Sequence, residues 1–314
     1  MLRFVKWDLF EKISGIIEMN KRGEFMKKKL GIAGVTLLIV VGICFIFKVV
    51  NANKLDKLSF NADCIYVYSI DDEKEIFSKN PDKKVYPASL TKMMTVYTAV
   101  GEINDFDKKA PIDKRSYQQL VAQNASMAGF YGNEPTTFDD LLYGTMLASA
   151  GECADSLAIN VAVSKEEFVK LMNENAKNMG LNNTHFKNSE GMDEDDHYSS
   201  AKDMAFLLKN SLKNEKFYKI FTTDKYTSTK TFDHPKGIEI ESTVLSRLKD
   251  YDQDGFKILG GKSGTTEKAG LCWATLSEKN GKKYIIIVMG VDFDDIKHPG
   301  DGQIQDTIKI LKNL

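Results

Sequence analysis

The chain has 314 residues, of which 42% are hydrophobic and 28% are charged, so it can bury the core of one or two folded domains. Its formal net charge is −1, and no overall basic excess points to nucleic acid as a partner. Four cysteines and four histidines form neither a Cys-x-x-Cys pair nor a mixed cluster. We therefore expect no metal, no other cofactor and no disulfide framework, and we interpret the cysteines as small buried residues.

The first sixty residues differ from the rest of the chain and divide into three predicted segments. Residues 1–25 show no pattern of a folded element, and we hypothesise that translation starts at Met26, after codons that can resemble a bacterial ribosome-binding site. Within residues 26–50, three lysines precede an uncharged apolar run of eighteen residues, 30–47. This run is near the lower length limit of a membrane span. Residues 51–60 form a polar linker.

The lysines at 27–29 favour a cytoplasmic amino end, with the remainder of the chain outside the cell. We therefore expect a single amino-terminal span that is retained as an anchor in the cell membrane. Small residues at Val50 and Ala52 leave cleavage after Ala52, and hence secretion, as the alternative. Lys48 interrupts the apolar segment and argues against cleavage.

Turn residues and hydrophobic periodicity outline the elements of residues 61–314, which we predict to be one folded domain. A hairpin is expected over 63–80, with its turn at 71–74. Helices are expected at 90–100 and at 138–148, and a third helix is expected directly after a break at 149–151. Two more are expected at 165–179 and at 199–214. Thr137 and Ser164 are predicted to cap the second and fourth of these helices, the latter with Glu167 in a capping-box pattern.

The carboxyl-terminal third favours strands, at 225–232, 238–245, 256–266, 269–278 and 282–292, and then one last amphipathic helix at 300–314. Asn280 and Gly281 predict a tight hairpin turn between the last two strands. Strands at both ends and helices between them indicate an α/β protein of the α+β type. We expect one antiparallel sheet formed by both terminal regions, plus a helical lobe.

Ser89 and Lys92 form an S-x-x-K pattern at the start of the first predicted helix, after Pro87. Residues three apart share one helix face, so the lysine can reach the serine hydroxyl and, if its pKa is lowered, act as its base. The pattern alone is weak, because it also occurs at Ser199/Lys202 and at Ser246/Lys249.

Lys262, Ser263 and Thr265 form a second candidate site, on a predicted strand. One cation and two hydroxyl groups suit a substrate carboxylate. Gly264 between the two hydroxyl residues allows a close approach to the backbone. By itself, such a run is more often an ordinary strand end.

In this order, the two motifs resemble the penicillin-binding serine peptidases of the D-alanyl-D-alanine carboxypeptidase family, whose signature is S-x-x-K, S-x-N and K-T-G. The resemblance covers roughly residues 58–314. A central stretch resembles the family pattern F-x-N-x-x-G…H-x-S…D through six residues: Phe186, Asn188, Gly191, His197, Ser199 and Asp203. The resemblance implies a β-lactamase/transpeptidase-like fold, and it reassigns Ser199 and Lys202 to a structural helix start.

The second motif of the family departs from its pattern here. The slot between the two helices holds Ser149, Ala150 and Gly151, so the serine is retained and the asparagine is missing. The sequence S-x-N does occur at Ser59 and at Ser78, but both precede Ser89. Gly151 and the next residue, Glu152, are candidate modulators of the site, although an acid in the first turn of a helix is also an ordinary stabilising feature.

The resemblance implies that Ser89 is the acylated nucleophile, that Lys92 is its base and that Ser149 relays a proton to the leaving D-alanine. Lys262, Ser263 and Thr265 would bind the terminal carboxylate, with Lys262 also lowering the pKa of Lys92. Backbone N–H groups of Ser89 and Thr265 would form the oxyanion hole. The implied substrate is the peptidoglycan stem peptide, and β-lactam antibiotics would be covalent inhibitors.

Two other functions remain open at this point. A serine β-lactamase of related fold would need a glutamate for its deacylating water, normally in E-x-x-L-N, and no such pattern lies between Ser149 and Lys262. A wall-binding or scaffold protein that has lost turnover is supported only by Gly151. Retention of Ser89 and both lysines argues against it.

Overall fold

A five-stranded antiparallel sheet lies at the centre of the computed structural model, which describes residues 54–314. Its strand order is β2-β1-β7-β6-β5. These strands are β1 Ala62–Ser69, β2 Lys74–Lys79, β5 Lys257–Thr266, β6 Gly270–Lys279 and β7 Lys282–Val291. Because β1 pairs with β7, the two ends of the described chain meet in one sheet. The predicted fold class is therefore confirmed.

Eight α-helices occur within the described residues, and two 3₁₀ turns, Lys54–Lys57 and Ala88–Leu90, accompany them. The helices are α1 Thr91–Glu102, α2 Lys114–Ala122, α3 Phe138–Met146, α4 Gly151–Ala162, α5 Lys165–Asn178, α6 Ala201–Ser211, α7 Glu215–Phe221 and α8 Gly302–Asn313. The expected helices are present, while α2 and α7 were not predicted. Both are short helices that begin at side-chain caps, Asp113 and Asn214 respectively.

Both faces of the sheet are buried, and helices cover them. Helix α6 packs against β1 and β7, while α8 packs against β6 and β7. Ile285, Ile287 and Met289 of β7 belong to the main core, and Ile286 and Val288 between them are equally buried outside it. Burial on both faces explains why this strand is continuously apolar rather than alternating.

Both predicted hairpin turns are present, and the first differs from its predicted position by one residue. Asn280 and Gly281 both have positive φ, 52° and 73°, as a type I′ turn requires. The first hairpin turns one residue earlier than expected, because Lys74 already belongs to β2.

The two strands predicted at 225–232 and 238–245 are shorter than expected. Only Lys225–Thr227 (β3) and Glu239–Glu241 (β4) are extended, and they pair with each other outside the main sheet. These strands offer little apolar surface for a core, and only Ile240 among their six residues is buried. The chain between and after them forms turns instead.

Residues 57–314 form one compact unit. No helix of the described residues is long and apolar enough to cross a membrane. The predicted anchor at 26–50, the cleavage position after Ala52 and the proposed start at Met26 all lie outside the described residues, as does Cys44. Cys64, Cys153 and Cys272 are buried free thiols, as expected.

The capping box of α3 is expected to stabilise the fold measurably. Thr137 Oγ1 accepts a hydrogen bond from Asp140 N at 3.2 Å, and the Asp140 carboxylate accepts one from Thr137 N at 2.8 Å. Thr137→Ala removes the first bond and should lower the free energy of unfolding by about 1 kcal/mol. Urea denaturation measures this loss. Thr137→Ser keeps the hydroxyl and is the control, and equal stability of the alanine variant and the wild type would contradict the assignment.

Candidate active site

Ser89 lies in the 3₁₀ turn that precedes α1, and two glycines allow other segments to press against this turn. Ala88, the residue before it, has a positive φ of 46°, which is strained for a side chain with a Cβ. A Cβ at Gly191 would overlap the carbonyl oxygen of Ala88, and one at Gly264 would lie 2.9 Å from Ser89 N. Gly264 therefore lets strand β5 itself, rather than only a ligand, approach the serine.

Lys92 lies one turn further along and points back at the serine. Its Nζ donates a hydrogen bond to Ser89 Oγ at 3.0 Å and another to the carbonyl oxygen of Glu190. The side chain is buried, with only 3% of the residue exposed. Burial lowers the pKa of Lys92 to about 8, although nearby carboxylates at Glu190, Asp155 and Glu152 oppose this shift. A neutral amine is therefore accessible near neutral pH.

Lys262 lies on β5 and is fully buried. Its Nζ donates to Ser149 Oγ at 2.8 Å and to the carbonyl oxygen of Ser263 at 2.6 Å. Burial lowers the pKa of Lys262 well below its ordinary value, and the positive charge of Lys92 lowers it further. Because this repulsion acts on both amines, the two lysines do not easily carry a full charge together.

Ser149 is held in the break between α3 and α4 by its backbone. Its φ is 59°, and the next amide, Ala150 N, donates to Gly144 O at 3.1 Å. The left-handed conformation of Ser149 turns the chain away from the axis of α3, and the Ser149 hydroxyl lies within hydrogen-bond distance of Lys262 Nζ. The structure thus brings three of the predicted catalytic residues, Ser89, Lys92 and Ser149, to one cavity of about 370 Å³.

The two hydroxyl residues beside Lys262 are placed differently. Thr265 is exposed and lines the cavity together with Ser89. The Ser263 hydroxyl lies 2.9 Å from Thr243 Oγ1 and forms a hydrogen bond with it. In the geometry described, Thr265 is therefore the more accessible of the two.

Gly151 is the first residue of α4 and lines the same cavity. Glu152 beside it is fully buried, which an ordinary first-turn acid is not. Its Oε1 accepts from Ala128 N at 2.7 Å, and its Oε2 is buried with no hydrogen-bond partner among residues 54–314. Burial raises the pKa of Glu152 to about 7. Its carboxyl thus holds the backbone at Ala128 and, when ionised, favours the charged form of Lys92.

Glu190 was missed by the sequence interpretation, although it lies inside the family-like central stretch. It lines the cavity, and its carboxyl lies beside Ser189 Oγ, at 3.3 Å. Ser189 Oγ donates to Asp155 at 2.7 Å, and Lys165 forms an ion pair with Asp155 at 2.9 Å. Burial and the neighbouring carboxylate of Asp155 raise the pKa of Glu190 to about 7. Its position directly before Gly191 was the only sequence signal for it.

Two other family-like residues of the central stretch, His197 and Asn188, hold the segments that carry the site through hydrogen bonds. His197 Nδ1 accepts from Lys187 N at 3.1 Å, and its Nε2 lies 2.8 Å from Thr91 Oγ1. Burial lowers the pKa of His197 to about 4, so the ring is neutral. Asn188 Oδ1 accepts from Gly191 N at 2.8 Å and fixes the segment that presses on Ala88.

The two remaining S-x-x-K pairs do not resemble this site. The Ser199 hydroxyl bonds Thr184 Oγ1 at 2.8 Å, while Lys202 forms an ion pair with Asp82 at 3.3 Å. Lys249 is exposed, and its ammonium lies 3.8 Å from a carboxylate oxygen of Glu241. Only the Ser89 pair shows a buried lysine that bonds its serine.

Comparison with known proteins gives a consistent result. Residues 51–293 match the family described as D-alanyl-D-alanine carboxypeptidase. A D-alanyl-D-alanine carboxypeptidase of Bacillus subtilis is 27% identical over 84% of this chain and 66% of its own length. One from Haemophilus influenzae is 31% identical over 68% of this chain and 52% of its own length. The chain therefore spans about half to two thirds of these relatives.

The crystal structure of the Streptomyces K15 DD-transpeptidase is similar in fold. It superposes with a TM-score of 0.72 and 27% identity, and the match covers 82% of this chain and 98% of that one.

Replacing Glu190 by Gln is expected to shift the pH dependence of Ser89 acylation towards lower pH. Lys92 must be neutral to accept the serine proton, so acylation rises as the pH rises through the pKa of Lys92. The Glu190 carboxylate raises that pKa, and its removal therefore lowers it. The acylation rate with a fluorescent penicillin, measured from about pH 5 to about pH 10, reports the shift.

Glu174→Gln is the matched control for this measurement, because Glu174 is an exposed carboxylate on α5. It should leave the pH profile unchanged. An unshifted profile in Glu190→Gln, or a shift to higher pH, would show that the Glu190 carboxylate does not act on Lys92.

Proposed function

Because the chain belongs to the D-alanyl-D-alanine carboxypeptidase family, we propose that it removes the terminal D-alanine from peptidoglycan stem peptides through an acyl-enzyme on Ser89. One observation carries the proposal: Ser89, bonded to buried Lys92, and Ser149, bonded to buried Lys262, line the same cavity. A serine beside a neutral amine is an activated nucleophile, and a second amine and hydroxyl are available for the substrate's other end.

Acylation begins when neutral Lys92 takes the proton of Ser89 as its Oγ attacks the carbonyl carbon before the terminal D-alanine. The new C–O bond forms a tetrahedral oxyanion, which the backbone N–H groups of Ser89 and Thr265 stabilise. Each such donor contributes about a hundredfold or more to the rate. The close approach of β5 to the serine turn at Gly264 brings the two backbones to one place.

The leaving group departs when the C–N bond breaks. The proton taken by Lys92 returns through the Ser149 hydroxyl to the D-alanine nitrogen, so no net proton is gained or lost. Water then attacks the acyl-enzyme, with Lys92 again as base, and frees Ser89. An amine acceptor in place of water would give the transfer reaction named for the Streptomyces K15 relative.

Lys262 binds the terminal carboxylate of the substrate, with the hydroxyl groups of Thr265 and Ser263. An incoming carboxylate favours the charged form of Lys262 and so raises its lowered pKa. Since two adjacent ammonium groups repel each other, a charged Lys262 in turn favours the neutral form of Lys92. Substrate binding thus supplies the base in the form that acylation requires.

Ser89→Ala is expected to abolish both covalent labelling by a fluorescent penicillin and release of D-alanine from a stem pentapeptide. The physical reason is that Ser89 Oγ forms the acyl-enzyme bond, and alanine leaves no oxygen at this position to be acylated. Gel fluorescence and a D-alanine assay on the full chain measure the two losses.

Ser246→Ala is the matched control and should leave both readouts unchanged, because Ser246 does not line the cavity and the lysine of its S-x-x-K pair, Lys249, is exposed. Rapid loss of label from the wild type would instead indicate a β-lactamase. A wild type with neither label nor D-alanine release would support a scaffold without turnover.

We further propose that residues 26–50 hold the protein in the cell membrane with residues 61–314 outside. The support is the eighteen-residue apolar run behind three lysines. The full chain should then sediment with membranes and resist extraction by high salt and alkali, because apolar insertion is insensitive to both. Fractionation followed by mass spectrometry tests this. A soluble protein beginning at Asn53 would overturn it in favour of cleavage after Ala52.

A further inference from the structure

The family pattern has an asparagine two residues after the serine of its second motif, and this chain has Gly151 there. The cavity therefore lacks the amide side chain of that asparagine. Nothing at residue 151 itself can replace it, because glycine offers only its backbone. The backbone is also already used, since Gly151 N donates to Ser126 O at 2.8 Å. A substitute for the amide must therefore come from another segment that lines the cavity.

The loop that follows α2 lies beside Gly151, close to where a side chain at residue 151 would begin. A Cβ at residue 151 would lie 3.2 Å from both terminal methyl carbons of Leu120, and 3.7 Å from the Cβ of Ala125. Together with the bond to Ser126 O, these contacts dock the loop 123–126 on the first turn of α4. The missing side chain is thus what allows this close packing.

The docked loop brings a second amide to the cavity. Residues 123–126 all line it, as do Ser89, Lys92 and Glu190. Asn124 has a φ of 52°, and Ala125 N donates to Leu120 O at 3.0 Å, so the turn is held by its backbone. The side-chain amide of Asn124 is exposed and makes no hydrogen bond within residues 54–314, so it is available to a ligand in the cavity.

We propose that the Asn124 side chain supplies the substrate-binding amide that Gly151 lacks, so that the second motif of this site is divided between Ser149 on the α3–α4 break and Asn124 on the α2 loop. Its amide N–H₂ donates to a backbone carbonyl of the stem peptide, and its oxygen accepts from a peptide N–H. This inference rests on the proposed function and names a further residue for that reaction.

A purely structural role for Asn124 makes a different prediction. Asparagine and glycine are the residues that best tolerate the left-handed conformation just after a helix, and glycine does so with less strain. If Asn124 only ends α2, Asn124→Gly should keep or improve both stability and activity. If Asn124 holds substrate, the same change should lower activity while the fold is retained.

The experiment compares Asn124→Gly with the wild type in kcat/KM for D-alanine release from a stem pentapeptide and in the acylation rate with a fluorescent penicillin. We expect both to fall by about tenfold, the loss of one substrate hydrogen bond, with an unchanged thermal midpoint. Asn133→Gly is the matched control: Asn133 is also exposed and left-handed, with a φ of 68°, but does not line the cavity. It should leave both rates unchanged.

Two results would overturn the proposal. One is a kcat/KM of Asn124→Gly within twofold of the wild type. The other is a gain of tenfold or more in Gly151→Asn, which would mean that the natural site works without any such amide. Failure of the proposed function looks different, because the wild type would then show no Ser89-dependent labelling at all.

Discussion

Two lysine amines buried side by side are the constraint on which the rest of this site depends. Lys92 and Lys262 are almost completely inaccessible to water, and burial disfavours the charged form of each. The protein satisfies their hydrogen-bonding groups with Ser89 Oγ, Ser149 Oγ and backbone carbonyls. The same contacts that make burial of the lysines tolerable also orient the two hydroxyl groups that the chemistry uses.

The carboxylates around Lys92 act against burial and raise the pKa of this lysine. Glu190, Asp155 and Glu152 all favour its charged form, and without them burial would lower its pKa further. Two of them, Glu152 and Glu190, have raised pKa values of about 7 themselves, since they are buried too. The charge of the whole cluster therefore changes around neutral pH, which is where a base for the serine must gain and lose its proton.

Close backbone packing is the second requirement of this architecture. The serine turn is pressed between the segment at Gly191 and strand β5 at Gly264, and side chains at either glycine would collide with it. Gly151 also allows close packing, but there the segment that packs against it is the loop after α2, which contacts the first turn of α4. The loop 123–126 therefore forms part of the cavity wall beside a position that has no side chain.

The sequence by itself determined the fold class, the Ser89–Lys92 pair and the motif at 262–265, because hydrophobic period, turn residues and motif spacing are local properties of the chain. Ser89, Lys92, Lys262 and Thr265 could be named in this way, while Ser149 was named through the resemblance to the family. The short strands at 225–227 and 239–241 could not be delimited, because their burial depends on what packs nearby. Only the tertiary structure decided that Glu190 and Glu152 point inward, that the Ser263 hydroxyl bonds Thr243 and that the α2 loop covers Gly151. These are contacts between residues far apart in the chain, and their burial and charge effects exist only after the segments have packed.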